Sequence, residues 1–145
     1  MKIHQISVFL ENRAGQLAEI TGLLAADGID LRAINVAETT DYGVIRIIAD
    51  DEKKACETLK KNGFVYSISD VQAVGVPDKP GGLGVLLKAL ADDGIDVLYM
   101  YSVFGKKEGK ALMVFRVADQ EAFEAALEKN GISSDGCGLG LESEN

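Results

Sequence analysis

The sequence predicts an α+β chain made of two copies of one unit, each running strand, helix, strand, strand, helix, strand. Two observations carry this expectation. The stretch "ENRAGQLAEITGLLAADGIDL" at residues 11–31 is echoed by "PDKPGGLGVLLKALADDGIDV" at residues 77–97. In both copies the apolar residues also switch, in the same order, between a period of two and a helical period.

The repeat keeps residues in register. At an offset of 66, Gly15, Leu17, Leu24, Ala25, Asp27, Gly28, Ile29 and Asp30 recur as Gly81, Leu83, Leu90, Ala91, Asp93, Gly94, Ile95 and Asp96. Past the hairpin the offset becomes 68, and Asp51, Leu59, Lys61, Asn62 and Gly63 recur as Asp119, Leu127, Lys129, Asn130 and Gly131. The second hairpin is therefore two residues longer.

Each element has its own signal. Ile6, Val8 and Leu10 alternate with Gln5, Ser7 and Phe9, as in a strand. Leu17, Ile20 and Leu24, and then Leu83, Leu86, Leu87 and Leu90, stand at helical spacing. Gly28 and Gly94 fall where a helix stops, since glycine takes a left-handed cap without a Cβ clash. Alternation resumes from Leu31 to Thr39, turns near "TTDYG" and returns from Val44 to Ala49. A second helix is expected from about Asp51 to Lys61, with Lys60 and Lys61 at its negative end. Its copy has Phe123, Ala126 and Leu127 as the buried stripe. "FVYSISDVQAVGV" then continues as a strand.

The order is that of the ferredoxin-like split βαβ unit, with both helices on one face of an antiparallel sheet. Val71 to Val76 aligns with Gln5 to Leu10, so no linker separates the copies and Asp70 is the joint. The expected repeats are residues 1–70 and 71–145. The end of the second, "ISSDGCGLGLESEN", is rich in glycine and poor in β-branched residues, which predicts a weak or displaced fourth strand. On the helix-free face, Val44 and Ile48 accompany Arg46, and Leu112 and Val114 accompany Arg116, opposite Ile45, Ile47, Met113 and Phe115. Such a face calls for a cover, either the other repeat or a second chain.

Composition narrows the classes. The 145 residues are 47% hydrophobic and 26% charged, with no Trp, as in ordinary globular proteins. Units of about 70 residues are marginal alone, so the halves are expected to pack together. A formal charge of −8 opposes a nucleic-acid partner, whose affinity comes mostly from Lys and Arg. The densest basic cluster, Lys106, Lys107 and Lys110, is interrupted by Glu108 and reads as a solvated hairpin tip. Cys56 and Cys137 match no metal or redox spacing, which fits a reducing compartment. "MKIHQISVFLENRAG" is too polar for a signal peptide and no run reaches membrane-spanning length. A cytoplasmic protein with no membrane partner and no cofactor is expected.

The recurring turns carry the functional signal. "ENRAGQL" and "PDKPGGL" lie between a strand and a helix N-terminus, where unpaired amides and the positive dipole end attract a carboxylate. Gly15 and Gly81 leave a close approach open. Asn12 or Asp78 beside them can accept from an ammonium group. Carboxylate and ammonium together describe an amino acid. The candidate ligand-binding set is Leu10, Glu11, Asn12, Ala14, Gly15, Gln16 and Leu17 in the first copy, and Asp78, Pro80, Gly81, Gly82 and Leu83 in the second. Asp30 and Asp96, opening the following strands, are a further pair of acids for an ammonium group. A plain structural reading stands beside this: an Asn or Asp before a glycine is often a turn and cap, and "DGID" is often a helix stop.

At these residues the chain resembles the ACT domain family, small βαββαβ modules that bind amino acids and regulate metabolic enzymes. The resemblance covers nearly the whole chain as two tandem copies. It implies that Asn12 matches the family's ligand-binding Asn and that Asp30 falls where a second Asn contacts ligand. Leu10 stands where serine-binding members carry a His, so serine is not carried over. Asp78 replaces Asn in the second copy, so the two sites are expected to differ. The family's pairing habits imply a homodimer through sheet faces or edges, with ligand at the interface.

Two other classes compete. An enzyme would need an acid, base or nucleophile in place. The lone His4 shares strand parity with Ile6 and Val8 and reads as a packed or edge histidine. "GGLG" lacks the Lys and Ser/Thr of a P-loop, and "GCGLGLE" is followed by no helix. Cys56, on a helix with Ala55 and Leu59, reads as core, and nothing basic adjoins Cys137. The expected protein is not an enzyme. The alternative is a ligand-free adaptor subunit that docks on a separate metabolic enzyme.

Overall fold

A computed structural model of the chain describes residues 2–11, 13–38, 42–107 and 109–132. It has the α+β architecture expected, divided into two compact units, His4–Ser69 and a second comprising Asp70 onward with Met1–Ile3.

The first unit contains β1 (Lys2–Glu11, less its first two residues), α1 (Gln16–Ala26), β2 (Leu31–Glu38), β3 (Tyr42–Ala49) and α2 (Glu52–Lys61). Its strands are antiparallel in the order β2-β3-β1, with Ile6 opposite Ile47 and Ile34 opposite Ile47 on the other side. The Phe9 N–H donates to the Val65 carbonyl at 3.0 Å, beginning a fourth strand beside β1. Ile6, Val8, Ile45 and Ile47 meet Ile20 and Leu24 of α1 and Leu59 of α2 in a closed apolar core. Phe64 and Tyr66 pack against its margin.

The second unit repeats this with β4 (Tyr66–Pro77), α3 (Gly82–Asp92), β5 (Val97–Lys107), β6 (Lys110–Val117) and α4 (Gln120–Lys129), its strands in the order β4-β6-β5. Here Val74, Val76, Leu86, Leu90, Phe115 and Phe123 form the core. The strand β4 is continuous across Asp70 and serves as the last strand of one copy and the first of the next. The Asp70 carbonyl accepts from Arg116 and Gln120, both at 3.2 Å, and its carboxylate pairs with Lys2 at 3.0 Å.

The repeated polar residues have structural work to do. Asp27 accepts from the Thr58 hydroxyl at 2.6 Å and Asp93 pairs with Lys129 at 2.9 Å, so each ties the two helices of its unit together. Asn62 and Asn130 each donate their side-chain amide to a last-turn carbonyl at 2.8 Å. Gly28, Gly63, Gly94 and Gly131 follow their helices with positive φ, which accounts for the glycines at those stops. Asp51 and Asp119 cap α2 and α4, accepting from the Lys54 and Ala122 amides at 3.0 Å. Replacing either Asp by alanine should lower unfolding stability by about 0.5–2 kcal/mol, with asparagine at the same position restoring most of it. Denaturant unfolding of the four single variants checks this.

The helix-free face holds both buried and exposed apolar residues. Ile48, Leu112 and Val114 are fully buried. Phe9 and Tyr42 stay exposed on that face of the first unit, at 44% and 49%, beside half-buried Val44. His4 is exposed near the start of β1 with Nδ1 2.7 Å from Glu52 Oε2, and it does not enter the core despite its parity. Cys56 packs at the margin of the first core; burial, and then the Glu52 charge, push its thiol above the ordinary range, while a hydrogen bond with Tyr66 acts the other way. That thiol stays protonated at neutral pH, as the core reading requires. Lys106 and Lys107 end β5 and Lys110 opens β6. Asn12, Thr39, Thr40, Asp41, Glu108, Cys137 and the expected last strand lie outside the described residues.

Candidate ligand-binding turns

Both turns close on a glycine in the same left-handed conformation. Gly15 caps α1 at φ 86°, ψ −10°, and Gly81 caps α3 at φ 85°, ψ −10°. A glycine cap brings no side chain to the first-turn amides, in contrast to the aspartate caps of α2 and α4. A Cβ placed on either glycine would meet nothing within 4 Å, so the approach to each backbone is open. An exposed helix start favours an anion; α3 has no acid in its first turn, whereas α1 carries Glu19 there.

The shared frame extends further. The Arg13 amide donates to the Glu11 carbonyl and the Lys79 amide to the Pro77 carbonyl, each at 2.9 Å. Arg13 and Lys79 thus place a cation at the same point of both turns, a recurrence that the unlike residue names hid. Arg13 lies 3.6 Å from Glu11 and 3.4 Å from Glu19, an exposed pairing of small energetic weight that an incoming carboxylate can exchange. In the second unit the Asp78 amide donates to the Gly109 carbonyl at 2.8 Å, fastening the turn to the β5–β6 hairpin. Ala14, Asp78 and Pro80 are exposed, and Leu10 belongs to the core beneath.

The next position separates the two turns. Gln16, first residue of α1, is 8% exposed, and its Oε1 is buried with no hydrogen-bond partner. An acceptor left in that state costs about 1–3 kcal/mol relative to a satisfied one. The corresponding residue of α3 is Gly82, where a Cβ would lie 2.1 Å from the Pro77 carbonyl oxygen. The Gly82 amide donates instead to the Lys79 carbonyl at 3.0 Å. Leu17 is 44% exposed, whereas Leu83 packs against the second core.

Asp30 and Asp96 are not brought to these turns within their own units. Glu11 faces Tyr42 at one end of β3, while the Asp30 amide donates to Asp50 Oδ1 at 3.0 Å just past the other end. The span from Tyr42 to Asp50 is roughly 27 Å at the usual strand rise. In the second unit Pro77 faces Lys110, and the Asp96 carbonyl accepts from Ala118 at 3.3 Å, again beyond the far end of the strand. The Asp30 carboxylate pairs with Arg32 at 3.2 Å.

Among the described residues, no His, Cys, Asp and Glu side chains cluster in threes able to hold a metal, and no helix is long and apolar enough to cross a membrane. Two ferredoxin-like units, each opening a glycine turn onto a helix N-terminus, make this a paired βαββαβ module. Residues 1–133 match the family model of the ACT domain pair, and the chain belongs to that family. A solved protein from Bacteroides thetaiotaomicron is similar at 35% identity, covering 92% of this chain and 91% of its own, with a TM-score of 0.84. The fold is also that of the ligand-free regulatory subunit of aspartate kinase from Thermus thermophilus, at 19% identity, 88% and 90% coverage and a TM-score of 0.64. The regulatory subunit of aspartate kinase from Thermus flavus has it too, at 17% identity, 89% and 94% coverage and a TM-score of 0.60. No curated protein matches the chain.

Proposed function

We propose that the chain is a non-catalytic amino-acid sensor whose two repeats, residues 1–70 and 71–145, each offer a strand-to-helix turn to a small zwitterion. The observation that carries this reading is the pair of left-handed glycine caps with the same dihedral angles, standing before helices that no cap side chain closes. The ligand carboxylate takes the first-turn amides, with Arg13 or Lys79 alongside. Asn12 and Asp78 supply polar contacts for the ammonium group. Asp30 or Asp96 joins such a site when a second copy brings that end of its sheet to the turn, and the exposed Phe9 and Tyr42 give a homodimer an apolar contact. Membership of the ACT pair family supports a regulatory role, and the Thermus subunits, named for the kinase they regulate, support a separate metabolic enzyme as the receiver of the signal.

A thermal-shift screen of the twenty amino acids tests this. A ligand at a hundred times its Kd should add about 2.7 kcal/mol, a rise of roughly 5–10 °C for a chain of this size. Gly15→Val and Gly81→Val together should abolish the rise, because a β-branched residue resists positive φ and stands in the approach. A flat response to all twenty would leave the adaptor role as the better reading.

A further inference from the structure

We infer that Gln16 makes the first turn selective for ligands whose nitrogen carries N–H groups, a selection the second turn does not share; the inference rests on the sensing role proposed above. Helical side chains lean toward the helix N-terminus, so the first residue of a helix points back over the turn before it. The second unit shows where that direction leads, since a Cβ on Gly82 would run into the carbonyl of the residue that ends the preceding strand. In the first unit the corresponding residue carries a carboxamide, on the face of α1 that Ile20 and Leu24 also share. Gln16 is more than nine-tenths buried and holds an acceptor with no donor against it.

A protein oxygen shut away without a partner is satisfied by a donor arriving with ligand. The carboxylate end of a zwitterion is drawn to the helix amides, so the group that reaches Gln16 is the nitrogen end or an amide on the ligand side chain. Primary and secondary amines have the hydrogen to give. A quaternary ammonium has none, although its charge is the same. The second turn, with glycine at this position, has no side-chain acceptor there to discriminate between them.

The probes are glycine and its trimethylated form, betaine, titrated into the full-length ¹⁵N-labelled chain while the amide signals of Gly15 and Leu17, and of Gly81 and Leu83, are followed. At the first turn glycine should bind at least about tenfold more tightly than betaine, the scale of one hydrogen bond to a charged donor. Gln16→Leu, similar in bulk but without an acceptor, should bring the two probes within about threefold of each other. Gln16→Glu should keep the preference for glycine. Equal binding of both probes by the unaltered chain overturns the inference, as does an undiminished preference in Gln16→Leu. Should that variant fail to fold, loss of the preference in Gln16→Glu overturns it equally. Glycine binding that ignores Gln16 sinks this inference alone; signals at both turns unmoved by any of the twenty amino acids sink the sensing role, and this inference with it.

Discussion

Replacing Phe123 by alanine should destabilise the chain by about 3–5 kcal/mol, lowering the melting temperature by roughly 6–20 °C. Phe123 is fully buried and its ring lies 5.5 Å from that of Phe115, tilted by 40°. Truncation removes most of a large side chain from a core whose other members are fixed on strands and helices, so the space cannot close fully. The first repeat has Ala55 and Ile47 at the corresponding positions, both fully buried, which invites the thought that alanine would serve as well in the second. It should not, because Phe64 adds its ring to the margin of the first core, where the second has the smaller Ile132. Volume has been moved between positions, not lost. Circular dichroism melts of Phe123→Ala and Phe123→Leu check the point, and a loss below about 1 kcal/mol for the alanine variant would contradict the packing described.

Gly82→Ala should be the most damaging single-methyl change in either turn. Its Cβ would lie 2.1 Å from the Pro77 carbonyl oxygen and 3.1 Å from the carbonyl carbon, and both are backbone atoms that no side-chain rotation moves away. Relief requires shifting the end of β4 or the start of α3, and overpacking of this kind costs about 1–3 kcal/mol or more. Gly84, two residues along the same helix, gives the control. A Cβ there meets nothing within 4 Å, and alanine in a helix interior gains about 0.5–1 kcal/mol over glycine. The two substitutions should therefore move the melting temperature in opposite directions. A neutral Gly82→Ala would show that the second turn has the room of the first.

Much of the fold was legible because the sequence writes it twice. The shared Asp-Gly-Ile-Asp and Asn-Gly stretches marked helix ends, and period changes marked the elements between them. Asp51 and Asp119 stood where caps belong, and both accept from the amide three residues on. The turns were legible as places but not in their chemistry. That Gln16 and Gly82 differ in consequence depends on where one Cα–Cβ bond points relative to a strand end, which no periodicity encodes. Arg13 and Lys79 escaped notice because a recurring charge is carried by two residue types. Asp30 was a candidate as an acid opening the next strand and by family resemblance, yet it lies past the far end of β3 from the turn. Burial of Leu112 and Val114 inside one chain depends on tertiary packing that a single strand's alternation leaves open.

The unbroken β4 restricts how this family member can drift. Pleating sends consecutive side chains to opposite sides, and Val71, Gln72, Ala73 and Val74 are buried on both faces of β4, so losing or gaining one amino acid beside Asp70 would exchange the side chains that the two faces hold. Length changes are thereby steered away from the junction, where most tandem modules accept them, and toward hairpin tips such as the one that already differs by two residues between the copies.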